Sequence, residues 1–186
     1  MLIFFDTEFS GLQKDTQLIS IGLISENDKR FYAEFGGINT EVLDDWIKEN
    51  VLANTVKYGG KEITDIVPNE YEYHFGTKEE IKEQLTEWLS QFDNIQLVSD
   101  VCHYDMVLFI DIFGTAFDLP ETVNASCHDI NQDIALARLI TEKEAFDLNR
   151  EDLLEEYGIS IVGDKHNSMT DATVIQSLYA ILQRGI

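Results

Sequence analysis

The chain has 186 residues, of which 44% are hydrophobic and 11% aromatic, a composition that excludes a largely disordered chain. Its 35 acidic and 13 basic residues give a net charge of −22, which argues against binding to duplex nucleic acid through a broad basic face. This charge fits two other kinds of protein: one that concentrates divalent cations, and one whose acidic surface binds a basic partner.

Residues 1–36 are predicted to form three strands without an intervening helix. Leu2–Phe5 is a continuous apolar run that ends in Asp-Thr-Glu, as a buried strand does when it delivers polar groups to its end. Gln17–Ser25 is strongly apolar, Asn27-Asp28 is a turn signal, and Arg30–Phe35 alternates as the next strand. Short turns between consecutive strands predict an antiparallel start to a mixed sheet.

The rest of the chain adds helices and two further strands. Glu41–Val51 is predicted as a helix with Trp46 on its buried stripe, although residues 40–75 fit no catalytic motif. Thr77-Lys78-Glu79-Glu80 is a capping box that starts a helix to about Phe92. The remaining predicted elements are strands Ile95–Ser99 and Thr122–Cys127 and helices Tyr104–Phe113, Asn131–Leu139, Arg150–Tyr157 and Met169–Gln183. The sequence therefore predicts a single α/β domain over residues 1–186, with a central mixed five-stranded sheet flanked by helices.

The chain carries no signal for a membrane or for secretion. It has no apolar run of the roughly 18 residues that cross a bilayer, and its start, MLIFFDTEF, has neither a basic region nor a small-residue cleavage site. Cys102 and Cys127 have no metal-type spacing, and two thiols in a chain of this size suit a reducing compartment, where they would serve as small core residues. We therefore expect a cytoplasmic protein that does not bind membranes.

Asp6 and Glu8 form the first candidate site. In a strand, residues two apart project from the same face, so the two carboxylates repel each other unless a cation lies between them. Hard divalent ions such as Mg²⁺ and Mn²⁺ prefer oxygen ligands of this kind. An isolated D-x-E is ordinarily a solvated strand end, but this pair follows four apolar residues and precedes Ser10-Gly11-Leu12, a turn where the backbone can approach a ligand.

A second acid is expected at the start of the helix after strand Ile95–Ser99. Asp105 lies just inside that helix, where the helix dipole favours a carboxylate and where simple capping is the alternative role. Asp100, at the strand end itself, competes for the same role, and the spacing alone does not separate the two.

His166 and Asp171 form the third candidate site. His166 lies in a polar loop after Gly163, and Asp171 falls in the first turn of the last helix. A loop histidine five residues before a helix-borne acid can reach a metal-bound water without being a ligand, and it titrates near neutral pH. This arrangement predicts a general base, against the simpler alternative of a solvent-exposed histidine. The other three histidines, His74, His103 and His128, are expected to be structural, although His103 and His128 could flank the site.

The three pieces, in this order and spacing, resemble the motifs of the DEDDh group of 3′–5′ exonucleases, which includes ribonuclease T, oligoribonuclease and the proofreading subunit of bacterial DNA polymerase III. The segment Phe5-Asp6-Thr7-Glu8-Phe9-Ser10-Gly11-Leu12 resembles the first motif, with Phe9 where many members have threonine. Residues 104–109 resemble the second motif, an aromatic-Asp pair that opens a helix, and this selects Asp105 over Asp100. His166-x4-Asp171-Ala172 resembles the third. Residues 46–52 also resemble a segment of some small exoribonucleases.

The resemblance implies a ribonuclease H-like fold and a two-metal mechanism. Two divalent cations, Mg²⁺ or Mn²⁺, would serve as cofactors. Asp6, Glu8 and Asp171 would hold one ion, Asp6 would share the second with the substrate phosphate, and Asp105 would complete the second site through water. His166 would take the proton from the attacking water.

The expected substrate is the 3′ end of single-stranded RNA or DNA, with RNA favoured because the chain is short and similar to small exoribonucleases. The residues expected to contact it are those of the first motif: Thr7, Phe9, Ser10, Gly11 and Leu12. Ser10 and the backbone near Gly11 would hold the terminal 3′-OH, and Phe9 and Leu12 would stack or wedge against the last bases. Single-domain relatives often pair, so a homodimer is also expected.

Three alternatives stay open at this point. A DNA-directed exonuclease for proofreading or repair would carry the same motifs. A non-catalytic acidic protein, either a nucleic-acid mimic or an inhibitor of a basic partner, would explain the net charge but not the motifs. An inactive domain that keeps the fold is disfavoured because all five expected positions are filled.

Overall fold

The computed structural model describes residues 1–66 and 71–184, and its centre is a six-stranded sheet of order β4-β3-β2-β1-β5-β6. The strands are β1 Leu2–Phe9, β2 Leu18–Ser25, β3 Arg30–Phe35, β4 Tyr71–Gly76, β5 Ile95–Ser99 and β6 Val123–Asp129. Strands β1, β2 and β3 pair antiparallel, as predicted, whereas β5 and β6 run parallel to β1 and β4 runs parallel to β3. The predicted α/β class with a mixed sheet is confirmed.

The sheet has one strand more than the five that the sequence predicted. The additional strand, β4, lies at the sheet edge and pairs with β3 from Arg30 opposite Tyr71 to Phe35 opposite Gly76. It is only half-buried, so its sequence carries a weak alternation signal that does not predict a strand. Pairing with β3, rather than local sequence, defines this strand.

Helices cover both faces of the sheet. They are α1 Asp45–Asn50, α2 Ile63–Ile66, α3 Lys78–Leu89, α4 Cys102–Phe113, α5 Ile130–Arg138, α6 Glu142–Phe146, α7 Arg150–Glu156 and α8 Ser168–Arg184, with a 3₁₀ turn at Leu52–Asn54. The predicted capping box of Thr77 and Glu80 is present at the start of α3. Short α2 and α6 were not predicted, and among the described residues no helix is long and apolar enough to span a bilayer.

The two faces of β1 contact different helices. Odd-numbered residues such as Ile3 and Phe5 pack into the larger core with α3 and α4, whereas Phe4 packs into the core formed with α5, α7 and α8. Because side chains alternate along a strand, Asp6 and Glu8 continue the Phe4 row. They therefore project towards the side of the sheet that α8 covers.

Two details differ from the sequence-based expectations. The sequence predicts Trp46 on the buried stripe of a helix over Glu41–Val51, but α1 begins only at Asp45, after the N-cap Asp44, and Trp46 is 52% exposed. Cys102 and Cys127, expected as thiols with core-packing roles, are paired as a disulfide with their Cα atoms 6.0 Å apart, because α4 starts beside β6.

Candidate active site

The first motif opens into a cavity of about 410 Å³ at the end of β1. Asp6 and Glu8 line it, and each is only 9% exposed. In the β1–β2 ladder Asp6 lies opposite Gly22. A Cβ atom on Gly22 would lie 2.4 Å from the carbonyl oxygen of Ser168, so the absence of a side chain there lets the start of α8 rest directly on the sheet. This close approach brings the last helix beside the acids of β1.

Asp105 reaches the same cavity from the first turn of α4. It is 1% exposed, and its Oδ1 accepts hydrogen bonds from the Thr7 backbone N–H at 3.2 Å and from Thr7 Oγ1 at 2.6 Å. Its Oδ2 accepts a short hydrogen bond from Ser99 Oγ. The residue between the two acids of the first motif therefore fixes the acid of the second motif, and the threonine belongs to the framework of the site.

Asp171 and His166 reach the cavity from the start of α8 and from the loop before it. Asp171 lies in the first turn of α8, and its Oδ2 accepts a hydrogen bond from the His166 backbone N–H at 3.1 Å. His166 has a left-handed backbone, with φ of 60°, which turns the loop sharply into α8. The His166 ring meets the Trp46 ring edge-on, with the centroids 5.0 Å apart.

The five predicted site residues are thus brought together around one cavity, together with Asp100. Ligand atoms lie within 4.8 Å of one another in two groups: Glu8, His166 and Asp171, and Asp6, Asp100 and Asp105. Burying several like charges together costs free energy unless a cation neutralises them. Clustered carboxylate oxygens are the donor set that Mg²⁺ and Mn²⁺ prefer, so the residues present fit divalent ions.

Burial and mutual repulsion raise the pKa values of all four acids. For Asp6 and Glu8 the pKa rises well above the ordinary value, first through burial and then through the neighbouring acids. Burial raises the pKa of Asp105 to about 7, against the opposing effect of its hydrogen bonds from Ser99 and Thr7. Burial, Asp100 and Glu151 raise the pKa of Asp171 to about 8. Without a cation the site therefore binds protons near neutral pH.

His166 has the opposite shift. Burial, and then the positive charge of Lys165, lower its pKa below the ordinary value of 6.5. A neutral imidazole at neutral pH can accept a proton, as a general base requires.

Asp100 is the functional candidate that the motifs passed over. It lines the cavity, and its Oδ2 accepts a hydrogen bond from Arg150 Nε at 3.0 Å. The same guanidinium donates to Asn131 Oδ1 at 2.6 Å and to the carbonyls of Ala145 and Leu148 at 2.8 and 2.9 Å. Arg150 therefore joins α5, α6 and α7 to one carboxylate of the site. A single arginine at the start of a predicted helix gave no sequence signal for this.

Four of the five residues predicted to contact substrate line the cavity: Thr7, Phe9, Gly11 and Leu12. Phe9 stacks on Tyr104, with the centroids 5.5 Å apart, and Tyr104 Oη donates to the Leu12 carbonyl at 3.0 Å. Ser10 differs, because its Oγ accepts a hydrogen bond from the Gln17 N–H at 2.9 Å and closes the loop instead of lining the cavity.

The remaining histidines do not line the cavity. His74 stacks on Phe31, and His128 contacts the carboxylate of Asp133. His103 packs on Tyr104, itself a neighbour of the site. Neither His103 nor His128 is part of the cavity wall, and the structural role expected of the three histidines stays a prediction.

The chain matches no family model. It is similar to the curated 3′–5′ exoribonucleases of Mycobacterium tuberculosis strains CDC 1551 and H37Rv. Each is 27% identical over 134 residues, which cover 71% of this chain and 73% of the relative.

Solved structures share the fold over nearly the whole chain. The nuclease domain of 3′hExo, described as a DEDDh family member bound to rAMP, has a TM-score of 0.66 at 16% identity and covers 99% of this chain and 92% of its own. The 3′-exonuclease that recognises the histone mRNA stem-loop has a TM-score of 0.67 at 13% identity, covering 99% and 64%. Pop2p of S. pombe, in a Mg²⁺- and Mn²⁺-bound form, has a TM-score of 0.61 at 13% identity, covering 98% and 82%. The chain therefore has the ribonuclease H-like fold of the DEDDh 3′–5′ exonucleases and is similar in sequence to 3′–5′ exoribonucleases, as its three motifs predicted.

Proposed function

We propose that this protein is a metal-dependent 3′–5′ exonuclease that removes 5′-mononucleotides from single-stranded RNA. The observation that carries the proposal is the convergence of Asp6, Glu8, Asp105 and Asp171 beside His166 in one cavity. The class of enzyme that the motifs predicted is also that of the named relatives in Mycobacterium tuberculosis. The roles of the individual residues are part of the proposal.

The acids are proposed to hold two divalent ions. Asp6, Glu8 and Asp171 would bind one ion, and Asp6 would share the second ion with the substrate phosphate. Asp105 would complete the site of the second ion through water. Such ions supply positive charge to the phosphate and stabilise the attacking and leaving oxygens of an in-line displacement. The like-charged cluster provides the affinity for them, because its repulsion is relieved on binding. Mg²⁺ and Mn²⁺ are both proposed, since the oxygen donor set accepts either.

His166 is proposed to act as the general base. It lies on the cavity wall next to Asp171, and its lowered pKa keeps the ring neutral. An imidazole nitrogen takes one proton from the attacking water while the water oxygen bonds to phosphorus. The bond from phosphorus to the 3′ oxygen of the preceding nucleotide then breaks, and that oxygen takes up a proton from solvent water. This releases a 5′-mononucleotide and leaves a new 3′-OH on the strand.

The wall around the acids is largely apolar and suits unpaired bases. Phe9, Leu12 and Trp46 line the cavity, and aromatic and aliphatic surfaces bind bases regardless of sequence. The chain has 13 Lys and Arg residues against 35 acidic residues, so few basic side chains are available to bind the phosphates of a long duplex. These features favour short, single-stranded ends over duplex substrates. The similarity to proteins named as exoribonucleases is the reason for proposing RNA as the substrate instead of DNA.

The test is digestion of oligonucleotides labelled at either end, in RNA and DNA versions, with Mn²⁺ or Mg²⁺. We expect mononucleotides to be released from the 3′ end of RNA, no products in excess chelator, and none from Asp6→Ala. His166→Ala should lower the rate by about 10²- to 10⁴-fold, the usual contribution of a general base. Full activity in chelator, or an unchanged rate for His166→Ala, would contradict the mechanism. Faster digestion of DNA would overturn the RNA preference alone.

The homodimer and the cytoplasmic location that the sequence analysis expected stay predictions. Analytical ultracentrifugation of the purified protein tests whether it is a homodimer. Fractionation of cells that naturally contain the protein tests whether it is cytoplasmic.

A further inference from the structure

The loop that carries His166 is held from behind by two asparagines, Asn54 and Asn167. Asn54 Nδ2 donates to the carbonyl of Lys165, the residue before His166, at 2.9 Å. Asn167, the residue after His166, donates through its Nδ2 to the Asn54 carbonyl at 2.8 Å. The residues on both sides of the histidine are therefore bonded to one asparagine that lies more than a hundred positions away in the chain.

This pair, which we call the amide clamp, also defines the start of α8. Asn167 is 2% exposed, and its Oδ1 accepts hydrogen bonds from the backbone N–H groups of Met169 and Thr170 at 3.1 and 3.3 Å. One amide side chain thus satisfies the free donors at the helix start with its oxygen and holds Asn54 with its nitrogen. The position of His166 is coupled in this way to the helix that presents Asp171.

The clamp is anchored on a buried acid of β3. Asn167 Nδ2 also donates to Tyr32 Oη at 3.2 Å, and Tyr32 Oη donates to Glu34 Oε1 at 2.7 Å. Glu34 is fully buried, and its carboxylate accepts the backbone N–H groups of Val56 and Lys57 at 2.7 and 2.8 Å. The chain segment that follows Asn54 is therefore fastened to the same carboxylate as the tyrosine. A buried charge needs such a set of donors, and a network satisfied in this way is rigid.

We propose that Asn54 and Asn167 are positioning residues that hold the His166 imidazole in place for proton transfer, with Tyr32 and Glu34 as their anchor. The proposal rests on the proposed function for its catalytic consequence. It assigns a purpose to the segment after α1, which carries no catalytic motif. A left-handed residue in a loop costs free energy and persists only where its surroundings hold it, and the clamp supplies that restraint on both sides of His166.

The test uses Asn54→Asp, which keeps the size of the side chain but removes the Nδ2 donor to the carbonyls of Lys165 and Asn50. We expect kcat on a short RNA with Mn²⁺ to fall about 10- to 100-fold, a part of the usual contribution of a general base, while KM changes less than about twofold. Asn167→Ser, which keeps a capping oxygen for α8 but loses the reach to Asn54, should have the same effect. Ser25→Ala is the control, because Ser25 is as buried as Asn167 and, among the described residues, its hydroxyl accepts a hydrogen bond only from the Lys29 backbone at 3.1 Å, outside the cavity lining.

A mutant cycle separates positioning from general loosening. If Asn54 acts through His166, Asn54→Asp should have no further effect on the residual rate of His166→Ala. An equal loss of kcat in both backgrounds would overturn the proposal, as would a loss of the same size in Ser25→Ala.

A second readout does not depend on nuclease activity. Because the His166 ring lies against Trp46, its ring protons should have NMR shifts set by the indole, and His166→Ala assigns the peak among the four histidines. In Asn54→Asp the His166 peak should move or broaden while the other three stay in place. An unmoved peak would overturn the clamp. If the protein proved to have no exonuclease activity, the proposed function would fail, and this measurement would still decide whether the clamp holds the loop.

Discussion

Gly22 in β2 touches the backbone of Ser168 at the start of α8, so closely that a Cβ atom would lie 2.4 Å from the Ser168 carbonyl oxygen and 2.5 Å from the nitrogen of Met169. The neighbouring contact between Ser20 Oγ and Ser168 Oγ, at 2.9 Å, shows the same close packing. Since Gly22 lies opposite Asp6 in the ladder, this contact sets the distance between the acids of β1 and Asp171 of α8.

Gly22→Ala should therefore move α8 away from β1. We expect a loss of about 1–3 kcal/mol in the free energy of unfolding. The added methyl group would meet backbone atoms of α8, which cannot move aside as a flexible side chain can. Urea unfolding measures the stability, and titration with Mn²⁺ should show weaker binding. Gly36→Ala is the control, because its nearest contact would be an ordinary 3.4 Å. Equal stabilities and Mn²⁺ affinities for the two variants would contradict the role of Gly22.

The acid cluster predicts an unusual dependence of stability on pH in the metal-free protein. The folded-state pKa values of Asp105 and Asp171, about 7 and about 8, lie above the ordinary 3.8, so the folded state binds more protons than the unfolded state between these values. Their contribution to stability is therefore complete below about pH 4 and is lost as the pH rises through 7 and 8. Thermal melting in chelator should give a falling Tm from pH 5 to pH 8.

Divalent ions should reverse this loss, because they stabilise the charged carboxylates. The rise in Tm on adding Mn²⁺ should be larger at pH 8 than at pH 6, and Asp171→Asn should be more stable than wild type in chelator at pH 8 while gaining little from Mn²⁺. A metal-free Tm that climbs steadily from pH 5 to pH 8 would contradict the pKa shifts.

The ion pair of Arg150 and Asp100 predicts a strong coupling between the two residues. Their side chains are only 12% and 17% exposed, so Arg150→Gln leaves a poorly solvated negative charge beside the other acids and should cost about 3–5 kcal/mol of stability. Asp100→Asn together with Arg150→Gln should recover much of that loss. Urea unfolding of the two single variants and the double variant gives the coupling energy between the two residues. If the stability losses of the single variants simply add in the double variant, the ion pair does not contribute to stability.

Leu12 is predicted to contact the terminal bases. It is 71% exposed on the cavity wall, so Leu12→Ala should not destabilise the fold but should raise KM for short RNA. Losing the apolar contact of one aliphatic side chain costs about 1–2 kcal/mol, which corresponds to a rise in KM of roughly 5- to 30-fold. Steady-state kinetics on a labelled trinucleotide checks this. Val162→Ala is the control and should leave KM unchanged, because its side chain is 84% exposed and does not line the cavity. A similar KM for the two variants would show that Leu12 does not contact the substrate.

The candidate acids, the candidate histidine and the order of the central elements could be predicted from local sequence. These are local features: a strand alternates its side chains, so Asp6 and Glu8 had to share a face, and a helix start had to follow the loop with His166. The capping box at Thr77 and the antiparallel start of the sheet were readable for the same reason.

Which distant residues surround the candidate site depends on how the helices and strands pack, and local sequence does not predict it. The bond from Asn167 to Asn54 spans 113 positions and the ion pair of Arg150 with Asp100 spans 50, and no periodicity within a strand or helix encodes contacts of that range. Trp46 looked like a core residue by its spacing, yet its helix starts late and leaves the ring exposed against His166. These long-range contacts depend on how helices and strands pack against one another, as at the close approach of Gly22 to α8. The hydrophobic pattern of the sequence alone does not predict them.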